Sequence, residues 1–192
     1  PLSVLSSSGC DALVHSLESF VSPKSTFESR MFSKKAYELI SKNLPLLLNG
    51  DGTLDNWLSM QWAAVFAMYS LSNSSSGPTG ALSYHLGVNF KVNHGVAGGI
   101  FIGKISKLNH DSGFYDYCDL YFGKEKDLSK KEKSQYVVEE ISQILKEAKI
   151  PKSLIELQVS KEDLYDFIEF SKKSKEAFKM NPIEIKEKDL ID

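Results

Sequence analysis

The stretch Gly9–Glu18, GCDALVHSLE, decides how the chain is read. Asp11 and His15 stand four residues apart, so on a helix they share one face, where a carboxylate and an imidazole can grip one divalent metal between them. The competing reading is an ordinary amphipathic helix. In it Leu13, Val14 and Leu17 turn inward, Asp11 sits in a first turn that favours an anion, and His15 is a half-buried polar residue. Both readings need a helix here. Short metal patterns recur by chance, so this stretch alone does not choose between them.

A second stretch, residues 77–103, reads GPTGALSYHLGVNFKVNHGVAGGIFIG. The Ser-rich run Asn73–Pro78 before it predicts a cap for a helix from Thr79 to Leu86. GVNFKVNHG then reads as a loop into a second helix from Gly95 to about Lys107. Gly95, Ala97, Gly98 and Gly99 let backbone or ligand approach closely, at a cost in helix stability that implies tight packing.

Taken together, Gly9, Asp11-Ala12-Leu13, His15 and Glu18, with Leu86-Gly87 followed by His94-Gly95, Ala97, Ile100 and Gly103, carry a resemblance. They resemble the C-terminal domain of the iron-containing (group III) alcohol dehydrogenases, relatives of glycerol dehydrogenase and dehydroquinate synthase. The likeness continues in order through GFYDYCDLYFG, IPKSLIEL, VSKEDLYDFIEFSKKS and KMNPIEIKEKDL, so it covers essentially the whole chain.

The resemblance implies an all-α, multi-helix bundle of the dehydroquinate synthase-like type, with residues 1–192 as one domain. It also implies a nucleotide-binding α/β domain upstream, absent from this chain, which would supply NAD(P). In the family the metal is held by one Asp and three His; carried over by position, the ligands are Asp11, His15 and His94, and the remaining histidine falls on Gly80. Tyr84 stands where most members have a further, non-ligand histidine near the substrate.

Glycine has no donor atom, which leaves three readings. Asp11, His15 and His94 hold Fe²⁺, Zn²⁺ or Mn²⁺ as a two-histidine, one-carboxylate set, with water at the place of Gly80. Alternatively His85 swings in, although one residue further along a helix points about 100° away. In the third reading the site has lost its metal and the fold serves altered chemistry or none. With metal bound, the expected chemistry is polarisation of a substrate oxygen and hydride exchange with a nicotinamide. Tyr84 or His85 is then the candidate proton relay. The substrates implied are small alcohols, diols or aldehydes, and a homodimer is a candidate assembly. The rival classes are a metal-independent relative and a non-catalytic helical interaction domain. The chain by itself is expected to lack dehydrogenase activity.

Composition agrees with one soluble domain: 192 residues, 42% hydrophobic and 25% charged, are enough for a sizeable core. A net charge of −2 gives no electrostatic reason to expect nucleic acid or an anionic membrane. Two cysteines, Cys10 and Cys118, make no disulfide framework or zinc cluster, and Pro1–Ser8 lacks the form of a signal peptide. A cytoplasmic enzyme is the simplest expectation.

The rest of the chain predicts helices. Pro1–Ser8 reads as an extended lead-in that turns at Gly9, and residues 26–48 as a core helix broken or kinked at Pro45. Asp55–Leu71 is apolar nearly all round and predicts a central helix buried on several sides, with Trp57, Trp62, Phe66 and Tyr69 as core and wall. Further helices are expected over Leu128–Lys149, from a cap at Ser160 to Phe178, and over Ile185–Ile191. His110 reads as an exposed loop residue, and no strand is expected.

Overall fold

The computed structural model describes residues 1–125, 127–157, 159–186 and 188–191. Helix α1 (Leu2–Val21) is the axis of the molecule, with Cys10, Leu13 and Leu17 fully buried. Three helices surround it: α2 (Phe27–Asn49), α3 (Leu54–Ser72) and α5 (His94–Asp111). Helix α4 (Pro78–Phe90) lies on α5 and α1, and α6 (Lys130–Glu147) on α5 and α2. Helix α7 (Lys161–Lys173) rests on α4, followed by the short α8 (Lys175–Phe178) and α9 (Lys188–Ile191). Two 3-10 turns, Asp116–Leu120 and Leu154–Leu157, complete the order. Among the described residues there is no strand, as the sequence predicts.

Local chemistry sets the helix starts. Thr26 with Ser29, Thr53 with Asn56, and Ser129 with Glu132 form reciprocal caps that satisfy orphan N–H groups at the starts of α2, α3 and α6. Gly50, at φ 84°, closes α2 in the left-handed conformation that a side chain would oppose.

Several expectations are corrected. Residues 2–8 are helical, and Gly9 is an interior residue of α1; a Cβ there would lie 2.7 Å from a Leu44 methyl, so the glycine permits contact between α1 and α2. The serines of the lead-in serve packing: Ser6 donates to the Ala148 carbonyl, and Ser7 to the Asn93 side chain. Pro45 does not break α2, which runs on to Asn49 although proline cannot donate to the Ser41 carbonyl. The loop expected after Leu86 is mostly helix, since α4 continues to Phe90.

Helix α3 buries only one side, through Met60, Ala63, Ala67 and Ser70, while Trp57, Trp62 and Tyr69 are exposed and Phe66 is half-buried. Small buried residues let α2 and α3 approach until Ser33 and Ser70 share a hydrogen bond of 2.5 Å. His110 is buried in the last turn of α5, its Nδ1 2.8 Å from Ser134 Oγ on α6. The helix expected from Ser160 to Phe178 is interrupted at Ser174. The last helix is Lys188–Ile191, and Glu187 of the predicted span lies outside the described residues.

A buried amide pair ties the tail to the bundle. Asn109 Nδ2 donates to Asn181 Oδ1 at 3.0 Å and to Tyr117 Oη at 3.2 Å, while Asn181 Nδ2 returns a bond to Asn109 Oδ1 at 2.7 Å. Asn109→Ala leaves Asn181 short of partners in a dry site. It should lower the free energy of unfolding by about 2–3 kcal/mol, read from urea titration.

Candidate metal site

Asp11 and His15 lie one turn apart on α1, and His94 is the first residue of α5, placed by its neighbour Asn93, which caps the helix by accepting from Gly95 N at 3.2 Å. Asp11 Oδ1 is 3.9 Å from His15 Nε2 and 3.7 Å from His94 Nε2, and one donor atom of each residue lies within 4.8 Å of the others. A metal bound at about 2.0–2.2 Å holds neighbouring N and O donors roughly 3.0–3.6 Å apart. Closing this set onto an ion therefore needs side-chain movements of up to about 1 Å. One carboxylate and two imidazoles also suit Fe²⁺, Zn²⁺ or Mn²⁺ chemically. Asp11 and His94 are 35% and 47% exposed, so the three donors open onto the molecular surface.

Backbone packing brings α5 to this position. A Cβ on Gly95 would stand 1.9 Å from the carbonyl oxygen of Ser7, an overlap with backbone that no rotamer change removes. Glycine beside His94 is thus what lets the start of α5 touch α1.

Glu18, beside the candidate site, has a structural role that the sequence reading missed. It follows Asp11 and His15 on the same face of α1, is fully buried, and caps α4 from outside. Oε2 accepts from Gly77 N at 2.8 Å and Ser76 Oγ at 3.2 Å; Oε1 accepts from Thr79 N at 2.6 Å, with Gly80 N at 3.3–3.4 Å from both oxygens. Burial pushes its carboxyl above the ordinary range, and these hydrogen bonds pull it back in part. The cap expected from the Ser-rich run Asn73–Pro78 is not made: the N-cap is Gly77, which has no side chain to accept, and the Glu18 carboxylate takes that place.

Gly80 lies in the first turn of α4 beside Glu18, and Tyr84 follows one turn later, 65% exposed. His85 is turned into an aromatic cluster, its ring centroid 4.4 Å from Phe170 and 5.5 Å from Phe167. Its ring nitrogen meets Asn89 Nδ2 at 3.1 Å, and burial lowers its pKa. His85 is not in the cluster formed by Asp11, His15 and His94. Cys10, next to Asp11, is a buried free thiol whose pKa is pushed up to about 12, chiefly by burial, which makes it inert.

Residues 5–192 match the Fe-containing alcohol dehydrogenase family, C-terminal, and the chain belongs to that family. It is 24% identical to 1,3-propanediol dehydrogenase of Citrobacter freundii, across 100% of this chain and 50% of that protein. Its fold matches a crystal structure of a 1,3-propanediol oxidoreductase with a TM-score of 0.88 at 23% identity, over 99% of this chain and 50% of that one. A sulfoacetaldehyde reductase of Bifidobacterium kashiwanohense, in complex with NAD⁺, matches with a TM-score of 0.84 at 21% identity, over 99% and 49%. The chain spans about half the length of these relatives. Among the described residues, no helix is long and apolar enough to cross a membrane.

Two substitutions test how the site is held. Gly95→Ala should push α5 off α1 and weaken metal binding at least tenfold by competition with a chromophoric chelator, with helicity retained by circular dichroism. Glu18→Ala should lower stability by about 2–4 kcal/mol in urea unfolding, since it leaves buried N–H groups without an acceptor.

Proposed function

We propose that this chain is the helical, metal-bearing half of an NAD(P)-dependent oxidoreductase that interconverts small alcohols and aldehydes. The observation that carries the reading is the convergence of Asp11, His15 and His94 in a member of this family. The names of the relatives, 1,3-propanediol dehydrogenases and an alcohol dehydrogenase among them, support this substrate class. The other half of the cleft, with the nicotinamide, belongs to the nucleotide-binding domain that full-length relatives carry.

Asp11, His15 and His94 would hold one divalent ion, Fe²⁺ first and Zn²⁺ or Mn²⁺ as alternatives. The ion would supply Lewis-acid stabilisation of negative charge on the substrate oxygen while hydride is exchanged with the nicotinamide. Two of the donors come from one rigid helix and the third from the capped start of another. Their geometry is therefore preset, and little reorganisation is needed when substrate arrives. Glu18 holds α4 against α1, and with it the turn that carries Gly80 and Tyr84. Tyr84, with its exposed hydroxyl, is the better of the two relay candidates, because His85 is engaged by Asn89 and the phenylalanines.

Metal analysis by mass spectrometry after anaerobic purification tests the reading. Near-stoichiometric Fe, Zn or Mn is expected in the chain and absent from the folded double variant Asp11→Ala, His15→Ala. Lack of metal in both folded samples would reject this reading in favour of a metal-independent relative. The isolated chain should also show no NAD(P)H-dependent turnover of propanal or 3-hydroxypropanal, and clear turnover would refute the assignment of the nicotinamide to another domain.

A further inference from the structure

Helices α5 and α6 pack together and leave a hollow of about 580 Å³ between them, the size of a small-molecule site. None of Asp11, His15 and His94 lines it. Its floor is aliphatic: Gly99, Ile100 and Gly103 from α5, Val138 and Leu145 from α6, and Ile150 from the turn that follows. A Cβ at Gly99 would stand 3.0 Å from an Ile150 methyl, and one at Gly103 2.9 Å from a Leu145 methyl. Both aliphatic side chains therefore lie against the bare backbone of α5.

The rim is cationic. Lys104 and Lys107 from α5, Lys146 from α6 and Lys152 from the segment after it line the same hollow. Lys107 is paired with Asp111 at 2.6 Å, whereas Lys104, Lys146 and Lys152 make no ion pair among the described residues. Glu139 is the single carboxylate among the described lining residues, and it already accepts from Gln135 Nε2 at 2.7 Å. Other polar lining groups are likewise engaged: Ser142 Oγ donates to the Val138 carbonyl, and Gln143 Nε2 to Glu147. In a chain of net charge −2, three unpaired ammonium groups around one aliphatic floor are a local excess of charge, unlike the mixed-sign faces of ordinary solvated helices.

We infer that this hollow binds a free aliphatic carboxylate of medium chain length, with its tail along the floor and its head group among Lys104, Lys146 and Lys152. The rim selects an anion, and the floor selects its body. Among the described residues no aromatic ring lines the hollow to stack on a nucleotide base, and the side-chain amides that could read a base edge are already bonded. An alkyl chain needs only apolar contact, which the floor and the lysine stems supply. The α6 side of the hollow runs from Gln135 to Lys146, roughly 16 Å of helix, the length of an extended chain of about twelve carbons. The inference rests on α5 and α6 alone and is independent of whether a metal is bound by Asp11, His15 and His94.

Isothermal titration calorimetry of the whole chain with sodium dodecanoate decides it. One site with a dissociation constant on the order of 10 μM is expected. Hexanoate, with half the tail, and dodecyltrimethylammonium, with the same tail and the opposite charge, should each bind at least tenfold more weakly. Ser142→Trp, which fills the hollow from an exposed lining position, should abolish binding, and the double variant Lys104→Glu, Lys146→Glu should weaken it at least tenfold. All three positions are exposed, so circular dichroism should stay that of the parent. Dodecanoate should raise the thermal midpoint of the parent and leave that of Ser142→Trp unchanged. No saturable binding up to about 1 mM would overturn the proposal. Equal affinity for the cationic surfactant, or affinity that survives both variants, would do the same by marking adsorption elsewhere on the surface. Cosedimentation with anionic phospholipid vesicles without binding of free dodecanoate would overturn it in favour of a membrane surface.

Discussion

The arrangement depends on one buried carboxylate. Glu18 is carried by α1, yet it satisfies the amide groups at the start of α4, across a sequence gap of some sixty residues. Removing a carboxyl from water is costly, and here the cost is offset by convergent N–H donors and by the positive end of the helix dipole. The bond acts as a ruler. It fixes where α4 begins relative to α1, and hence which residues of α4 can approach Asp11 and His15.

A second close contact completes the frame from the other side. The start of α5 meets the backbone of α1 at Gly95 and Ser7, and the Ser7 hydroxyl meets the Asn93 side chain that caps α5. Helix α1 therefore plays three parts on neighbouring turns: it receives α5 near residue 7, offers Asp11 and His15, and anchors α4 at residue 18. His94 reaches the same place only because its helix is pinned within one residue of it. The donor geometry is set by backbone and capping contacts, which are stiffer than the packing of side-chain ends.

Much of this was legible in the sequence. The helical periodicity reads as an all-α fold and the Asp-to-His spacing on α1 brings Asp11 and His15 to notice before any coordinates, while His94 enters through the family resemblance. What the sequence hid is relational. Periodicity reports that a residue is apolar, not what covers it, so the aromatic residues of α3 read as core although Trp57, Trp62 and Tyr69 are exposed and only Phe66 and Tyr69 meet a ring of α2, that of Phe32. His110, between Lys107-Leu108-Asn109 and Asp111-Ser112-Gly113, reads as an exposed loop residue, but Ser134 on α6 supplies the partner that allows burial. Gly9 and the serines before it read as an extended lead-in with a turn because their partners, Leu44, Asn93 and Ala148, are remote in sequence. Glu18 was visible as a letter in the motif, but its task depends on the helix start it faces.

Gly80 is where this chain departs from the ligand pattern its family resemblance implies, and the packing shows that the departure extends beyond one side chain. A Cβ at residue 80 would begin 2.2 Å from Ser76 Oγ and 3.4 Å from a Glu18 oxygen. The Ser76 hydroxyl fills this space while donating to Glu18. Placing an imidazole at 80 would require Ser76 to rotate away and give up that hydrogen bond, loosening the carboxylate that positions α4. Ser76, Gly80 and Glu18 thus form one local solution in which the start of α4 is closed by hydroxyl and amide donors. On the proposed reading, the metal would rely on Asp11, His15 and His94 alone. Its remaining positions would go to water or substrate, and the strength of binding would rest on how firmly α1 and α5 are held together.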